Sequence, residues 1–181
     1  MTNILQIDSS ITGDNSVSRQ LTAATVARLT VVDHEARVIV RDLVATPLDH
    51  FTLAAFADAS AVDEFLAADT IVIGAPMYNF SVPSQLKAWI DRIAIAGKTF
   101  RYTETGPEGL AGDKRVIVVI SRGGFYDANN AFEHVETYLK SVFNFIGVEP
   151  EFVHADGIAI GPEAREAGIA NGLTEVTALA A

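Results

Sequence analysis

Three short stretches of this chain carry residue types that can do chemistry. The first is Ser9–Ser18 (SSITGDNSVS), which offers Ser9, Ser10, Ser16 and Ser18, Thr12, and a run that can start a helix at Val17. N–H groups at a helix start lack partners and the helix dipole is positive there, so hydroxyls beside them make an anion site without a cation. The same residues also make an ordinary turn capped by Ser16. The second stretch is Met77-Tyr78-Asn79-Phe80. A thioether, two rings and an amide suit a flat, partly polar ring system better than a sugar or a bare phosphate, although a single aromatic is usually a packing residue. The third is Ser121-Arg122-Gly123-Gly124. Paired glycines let backbone N–H groups approach a ligand closely, or serve a turn that needs positive φ.

Composition removes several alternatives. The 13 Lys and Arg stand against 23 Asp and Glu, a net charge of −10, which is the wrong sign for a nucleic-acid binder. There is no cysteine, hence no disulfide, thiolate metal site or thiol nucleophile. His34, His50, His134 and His154 are scattered without metal-ligand spacing, so no metal is expected. A hydrolytic role for Ser9 or Ser10 lacks a GxSxG elbow and a nearby histidine. No apolar run spans a bilayer and no signal peptide opens the chain, so a cytoplasmic protein without membrane or nucleic-acid partners is expected. Asp63-Glu64 and Glu133/Glu136 read as solvated helix faces. Lys98, Arg101 and Arg122 stand out on so acidic a chain: they could attract the phosphates of a nucleotide, or merely keep a loop soluble.

The elements that must position these stretches follow from periodicity. A chain of 181 residues, 49% hydrophobic, suits one compact domain over 1–181. Asn3–Asp8 reads as a strand, Val17 to about Leu29 as a helix, and Ala36–Arg41 as the second strand. After the Asp42–Thr52 connection comes a helix over Ala59–Ala68. The third strand, Thr70–Ile73, is apolar throughout and breaks at Gly74-Ala75-Pro76. Leu86, Trp89, Ile90 and Ile93 then recur at helical spacing after Pro83. Gly97–Asp113 is too long for an ordinary connection. Lys114–Ile120 is the fourth strand. A helix follows over Asn130–Phe145, with Phe132, Val135, Leu139, Val142 and Ile146 inward. Pro150–Ala155 is the fifth strand and Pro162–Leu179 the last helix. The alternation predicts a flavodoxin-like three-layer α/β sandwich: a five-stranded parallel sheet of order 2-1-3-4-5 with helices on both faces. Strands one, three and four are then neighbours, and the three stretches share the carboxyl rim where open α/β sheets bind ligands. Phosphate donors at one end and flat-ring contacts at the other describe a mononucleotide with a planar head, such as FMN.

At these residues the chain resembles a known family, the FMN-dependent NADH azoreductases, also described as NADH:quinone oxidoreductases. The motifs are SSI and SVS within Ser9–Ser18, APMYNF at Ala75–Phe80, TFRYTETGPEGL at Thr99–Leu110, SRGG at Ser121–Gly124 and GIAIGPE at Gly157–Glu163. The resemblance implies a homodimer with one tightly bound FMN per subunit and active sites at the interface. NADH, or NADPH, would be the donor in a ping-pong cycle that reduces quinones to hydroquinones and cleaves azo compounds to amines. The chemistry would sit at flavin N5, and no protein residue need be catalytic. By position, Ser10, Ser16, Val17 and Ser18 would hold the phosphate. Met77, Tyr78, Asn79 and Phe80 would contact the ribityl chain and ring. Ser121, Arg122, Gly123 and Gly124 would line the pyrimidine side, with the N–H groups of Asn79 and Gly123–Gly124 as donors to the ring. Tyr102 and Phe145 would reach the partner's substrate pocket, and Tyr126 stands near the flavin where some members have histidine. The Asp42–Ala59 connection is shorter than in better-known members, which implies a more open pocket. The rival reading is a flavodoxin-type electron carrier without NADH turnover.

Overall fold

The computed structural model describes residues 2–127 and 130–180. Its centre is a run of strands apolar on both sides. Strand β3 (Thr70–Pro76) is buried along its whole length. It lies between β1 (Asn3–Asp8) and β6 (Arg115–Ser121), and all these pairings are parallel. β2 (Arg37–Asp42) and β7 (Glu151–Ala155) flank them, giving the order β2-β1-β3-β6-β7. This is the 2-1-3-4-5 order expected from the sequence, with β6 and β7 as the fourth and fifth parallel strands.

Side-chain alternation splits the core into two layers. Ile71, Ile73, Val118 and Ile120 face Phe65, Trp89 and Leu139. These belong to α2 (Ser60–Ala67), α3 (Ser84–Ile93) and α4 (Glu136–Phe145). Val72, Ile117 and Val119 face the other way, onto Leu21 and Val176. Those come from α1 (Val17–Val32) and α5 (Pro162–Ala178). No helix among the described residues is long and apolar enough to cross a membrane.

Register sets the rim. Pro76 stands opposite Ser121, and Asp8 opposite Gly74, so the loops leaving β1, β3 and β6 begin side by side. The Ser9 hydroxyl donates to the Gly74 carbonyl at 2.6 Å, lashing the first loop to the middle strand.

Three expectations change. β3 does not break at Gly74-Ala75-Pro76 but runs through to Pro76. The reason is that β6 continues beside it, and the Met77 N–H donates to the Ser121 carbonyl at 2.8 Å. The Gly97–Asp113 excursion folds as an antiparallel hairpin of β4 (Phe100–Thr103) and β5 (Gly106–Gly109). The helix placed over Asn130–Phe145 starts only at Glu136. Ahead of it Asn130 makes a turn, its carboxamide oxygen accepting from the Phe132 N–H at 3.0 Å and its carbonyl from the Glu133 N–H at 2.9 Å. That turn swings Phe132 outward, 58% exposed, while Val135, Leu139 and Ile146 are fully buried as expected.

Candidate active site

The loop after β1 is held by local chemistry before any ligand is considered. Ser16 caps α1: its hydroxyl oxygen accepts from the Arg19 N–H at 3.2 Å and lies 3.1 Å from the Ser18 hydroxyl. The N–H groups of Val17 and Ser18 have no acceptor among the described residues. They are the orphan donors of a helix start, and they carry the positive end of its dipole. Arg19 fixes the other half of the loop. Its Nε and Nη2 donate to the Ser10 carbonyl at 3.2 and 2.9 Å, and its guanidinium grips the Asp42 carboxylate at 2.7 and 2.9 Å. The Arg19 guanidinium holds the Asp42 carboxyl well below the usual carboxylate range, helped by the N–H groups of Val44 and Ala45. Beneath the loop, burial pushes the Asp8 carboxyl up, opposed by hydrogen bonds from Thr22 and Gln6.

The loop after β3 turns back on itself at once. The Tyr78 and Ser81 backbones exchange two hydrogen bonds of 2.9 and 3.1 Å around Asn79 and Phe80. Those two residues have φ of +49° and +71°, the two-residue turn normally given to Asn-Gly. A bulky residue in that conformation is strained. The Phe80 ring leans on Phe132 with centroids 5.1 Å apart.

The loop after β6 is built against the loop after β7. The carbonyls of Arg122, Gly123 and Gly124 accept from the N–H groups of Ile158, Ala159 and Gly157. The N–H groups of Gly123 and Gly124 have no acceptor among the described residues. The Arg122 side chain is 4% exposed and lies between Asp156, at 2.7 Å, and Glu133, at 3.6 Å. Glu133 is therefore not on a solvated face, as expected, but buried. Its carboxylate accepts from the N–H groups of Val135, Glu136 and Thr137 and so caps α4. Lys98 and Arg101, which with Arg122 could have attracted a nucleotide's phosphates or merely kept a loop soluble, are paired with Asp63 and Glu108.

Between these loops lies a cleft of about 510 Å³, the size of a small-molecule site. Eight of the twelve residues proposed from the sequence line it: Ser10, Ser16, Val17, Met77, Tyr78, Ser121, Arg122 and Gly123. The other four stand just outside. Ser18 is fully buried behind Ser16. Asn79 faces a neighbouring groove shared with Met77, Tyr78 and Val82. Phe80 covers Phe132, and Gly124 carries the Tyr126 ring, which would lie 3.4 Å from a Cβ at that position. Thr12, named from the sequence as a hydroxyl of the first loop, is on the cleft wall too, whereas Asn15, Pro76, Ile158, Ala159 and Arg165 were not picked out from the sequence as site residues. The GIAIGPE stretch holds two of these, and its place after the strand next to β6 was the signal that could have found them.

Tyr102 and Phe145 are not in the cleft. Tyr102 is 74% exposed, and Phe100 stands between the two, with centroids 5.5 Å from Tyr102 and 4.6 Å from Phe145. They form a separate aromatic patch at the hairpin and the end of α4.

Residues 2–179 match the sequence model of a family described by its flavodoxin-like fold. The chain is 54% identical to the FMN-dependent NADH:quinone oxidoreductase 2 of Bradyrhizobium diazoefficiens, with 98% of each chain covered. It superposes on an azoreductase from Bacillus anthracis str. Sterne with a TM-score of 0.89 at 30% identity, covering 98% of each chain. An FMN-dependent NADH-azoreductase from Bacillus anthracis str. Ames Ancestor, in complex with FMN, matches at a TM-score of 0.85 and 25% identity over 100% of each chain.

Proposed function

The chain belongs to the FMN-dependent NADH:quinone oxidoreductases, a family of the flavodoxin-like fold, and on that premise we propose that it binds FMN in the cleft at the β1–β3–β6 rim and transfers electron pairs from NADH to quinones and aromatic azo compounds. The observation that carries this reading is the two-ended character of the cleft. One end gathers hydroxyls and unpaired helix N–H groups, and the other gathers a thioether, an aromatic ring and apolar Ile158 and Ala159.

The residues fit the cofactor's chemistry. The Ser10 and Ser16 hydroxyls and the N–H groups of Val17 and Ser18 would hold the phosphate, with Ser18 steadying Ser16 from behind. Met77 and Tyr78 would wall the ribityl chain and ring. The unpaired N–H groups of Gly123 and Gly124 point to hydrogen bonding with the polar edge of the ring, where negative charge would be stabilised. Arg122 contributes its backbone and not its charge, because Asp156 and Glu133 neutralise it. FMN, when bound, supplies the two-electron redox chemistry that none of the lining side chains can supply. The chain's own task is to bind and orient, and to leave one open place that donor and acceptor use in turn.

The protein also acts as a homodimer in this reading. Exposed Tyr102 and Phe145, packed around buried Phe100, make the kind of aromatic surface enriched at interfaces, which would complete the partner's substrate pocket. Heating the purified protein and identifying the released chromophore by chromatography tests the cofactor. FMN is the expected result; FAD, or no flavin, would overturn the reading.

A further inference from the structure

The phosphate end of the cleft contains one charge that the serine loop does not supply. Arg165 stands in the first turn of α5 and is half-buried on the cleft wall beside Asn15 and Ser16. Its Nη2 donates to the Asn15 carbonyl at 2.7 Å. Among the described residues no carboxylate forms an ion pair with it. The other arginines around the loop are spent: Arg19 on Asp42, Arg122 on Asp156 and Glu133. Among the described residues Arg165 is thus the one cation lining this end without an ion-pair partner, on a chain whose net charge is −10.

Its position is built in. Gly168, one turn along α5, lies so close to the Asp156 carbonyl that a Cβ there would overlap it. This contact presses the first turn of α5 onto the loop after β7, whose Ile158 and Ala159 form the same wall. The bond to the Asn15 carbonyl uses one of the five guanidinium donors and fixes the head, which leaves the rest for an anion.

We propose that Arg165 is the charge that selects the phosphorylated flavin: beside the α1 N-terminus it supplies the cation for the FMN phosphate and gives this protein its preference for FMN over riboflavin. The inference rests on the cofactor reading above. Its test is titration of the flavin-stripped full-length chain with FMN and with riboflavin, followed by flavin fluorescence, for wild type, Arg165→Met and Arg165→Lys. The charge-assisted bonds lost in Arg165→Met should weaken FMN about tenfold or more while riboflavin binds as before. Arg165→Lys should recover part of the loss, and the salt dependence of FMN binding should be shallower in Arg165→Met. Equal weakening of both flavins would make Arg165 a mere strap on the Asn15 turn, and unchanged FMN affinity would remove it from the site; either overturns the assignment alone. A wild-type chain that binds neither flavin would take down the cofactor reading as well.

Discussion

The Tyr78 hydroxyl accepts a hydrogen bond from the Ile11 N–H at 3.1 Å and lies 3.2 Å from the Ser10 hydroxyl. One side chain thereby ties the loop after β3 to the loop after β1, the two loops proposed to hold the ring and the phosphate. Tyr78→Phe keeps the ring and removes the tie. A net hydrogen bond contributes about 1 kcal/mol to stability, so the thermal unfolding midpoint should fall by about 2–4 °C, and FMN affinity should fall several-fold as the two loops loosen. Fluorescence titration beside a melting curve checks this. Wild-type affinity in the variant would mean that the two loops hold their places independently.

Arg19 and Asp42 brace the same loop from outside the cleft. Asp42 titrates well below the usual range because Arg19 holds its charged form. A depressed carboxyl stabilises the fold fully above its unfolded value, about 3.9, and loses that contribution as pH falls toward the folded value. Wild type should therefore exceed Asp42→Asn in stability at neutral pH, and the gap should narrow progressively below about pH 4. Asp8, raised mainly by burial, changes with the opposite sign, and the part of its rise that comes from the Asp42 charge is lost in Asp42→Asn. Urea unfolding of the pair across pH measures the gap; a gap independent of pH would remove the ion pair as its cause.

The Phe80 ring is held by Phe132 while its backbone sits at φ +71°. Aromatic pairs of this kind contribute about 0.5–1.5 kcal/mol beyond area burial. A double-mutant cycle of Phe80→Ala and Phe132→Ala should return a coupling energy in that range. Additive single effects would show that the turn is set by its own hydrogen bonds.

The hairpin that presents Tyr102 is seated by close backbone contact. A Cβ at Gly109 would overlap the backbone of Ile146 and Gly147, and the adjoining chain is pinned where the Ala111 N–H donates to the Ile146 carbonyl at 2.9 Å. Gly109→Ala should cost about 1–3 kcal/mol by overpacking and weaken self-association in sedimentation. Tyr102→Ala, which touches little within its own chain, should leave stability and bound FMN intact and raise the quinone KM. A fully active monomer at assay concentration would place the whole pocket within one chain.

The sheet was legible because its inner strands are apolar on both faces: Ile71-Val72-Ile73 and Val116–Ile120 can hardly be anything else, and their order brought the three loops to one rim. Ser16 as a helix cap was equally plain. Longer-range pairings were not. Glu133 looks solvated when Asn130–Phe145 is drawn as one helix, since its partner Arg122 is 11 positions away and follows no period. Arg165 hides in the same way among the polar residues of α5. The hairpin of the Gly97–Asp113 excursion lacks strand alternation; its short strands are set by Gly109 against α4. Asn79-Phe80 carries half of a turn signal, and the phenylalanine in the glycine position concealed the rest.

The most direct measurement of the central claim is anaerobic titration of the purified protein with NADH, followed by a quinone, watching the visible spectrum. The flavin band should bleach with two electrons per FMN when NADH is added and return when the quinone is added, over repeated cycles. A flavin band that NADH leaves unchanged, while a one-electron reductant bleaches it, would mark an electron carrier and contradict the assignment of an NADH-dependent oxidoreductase.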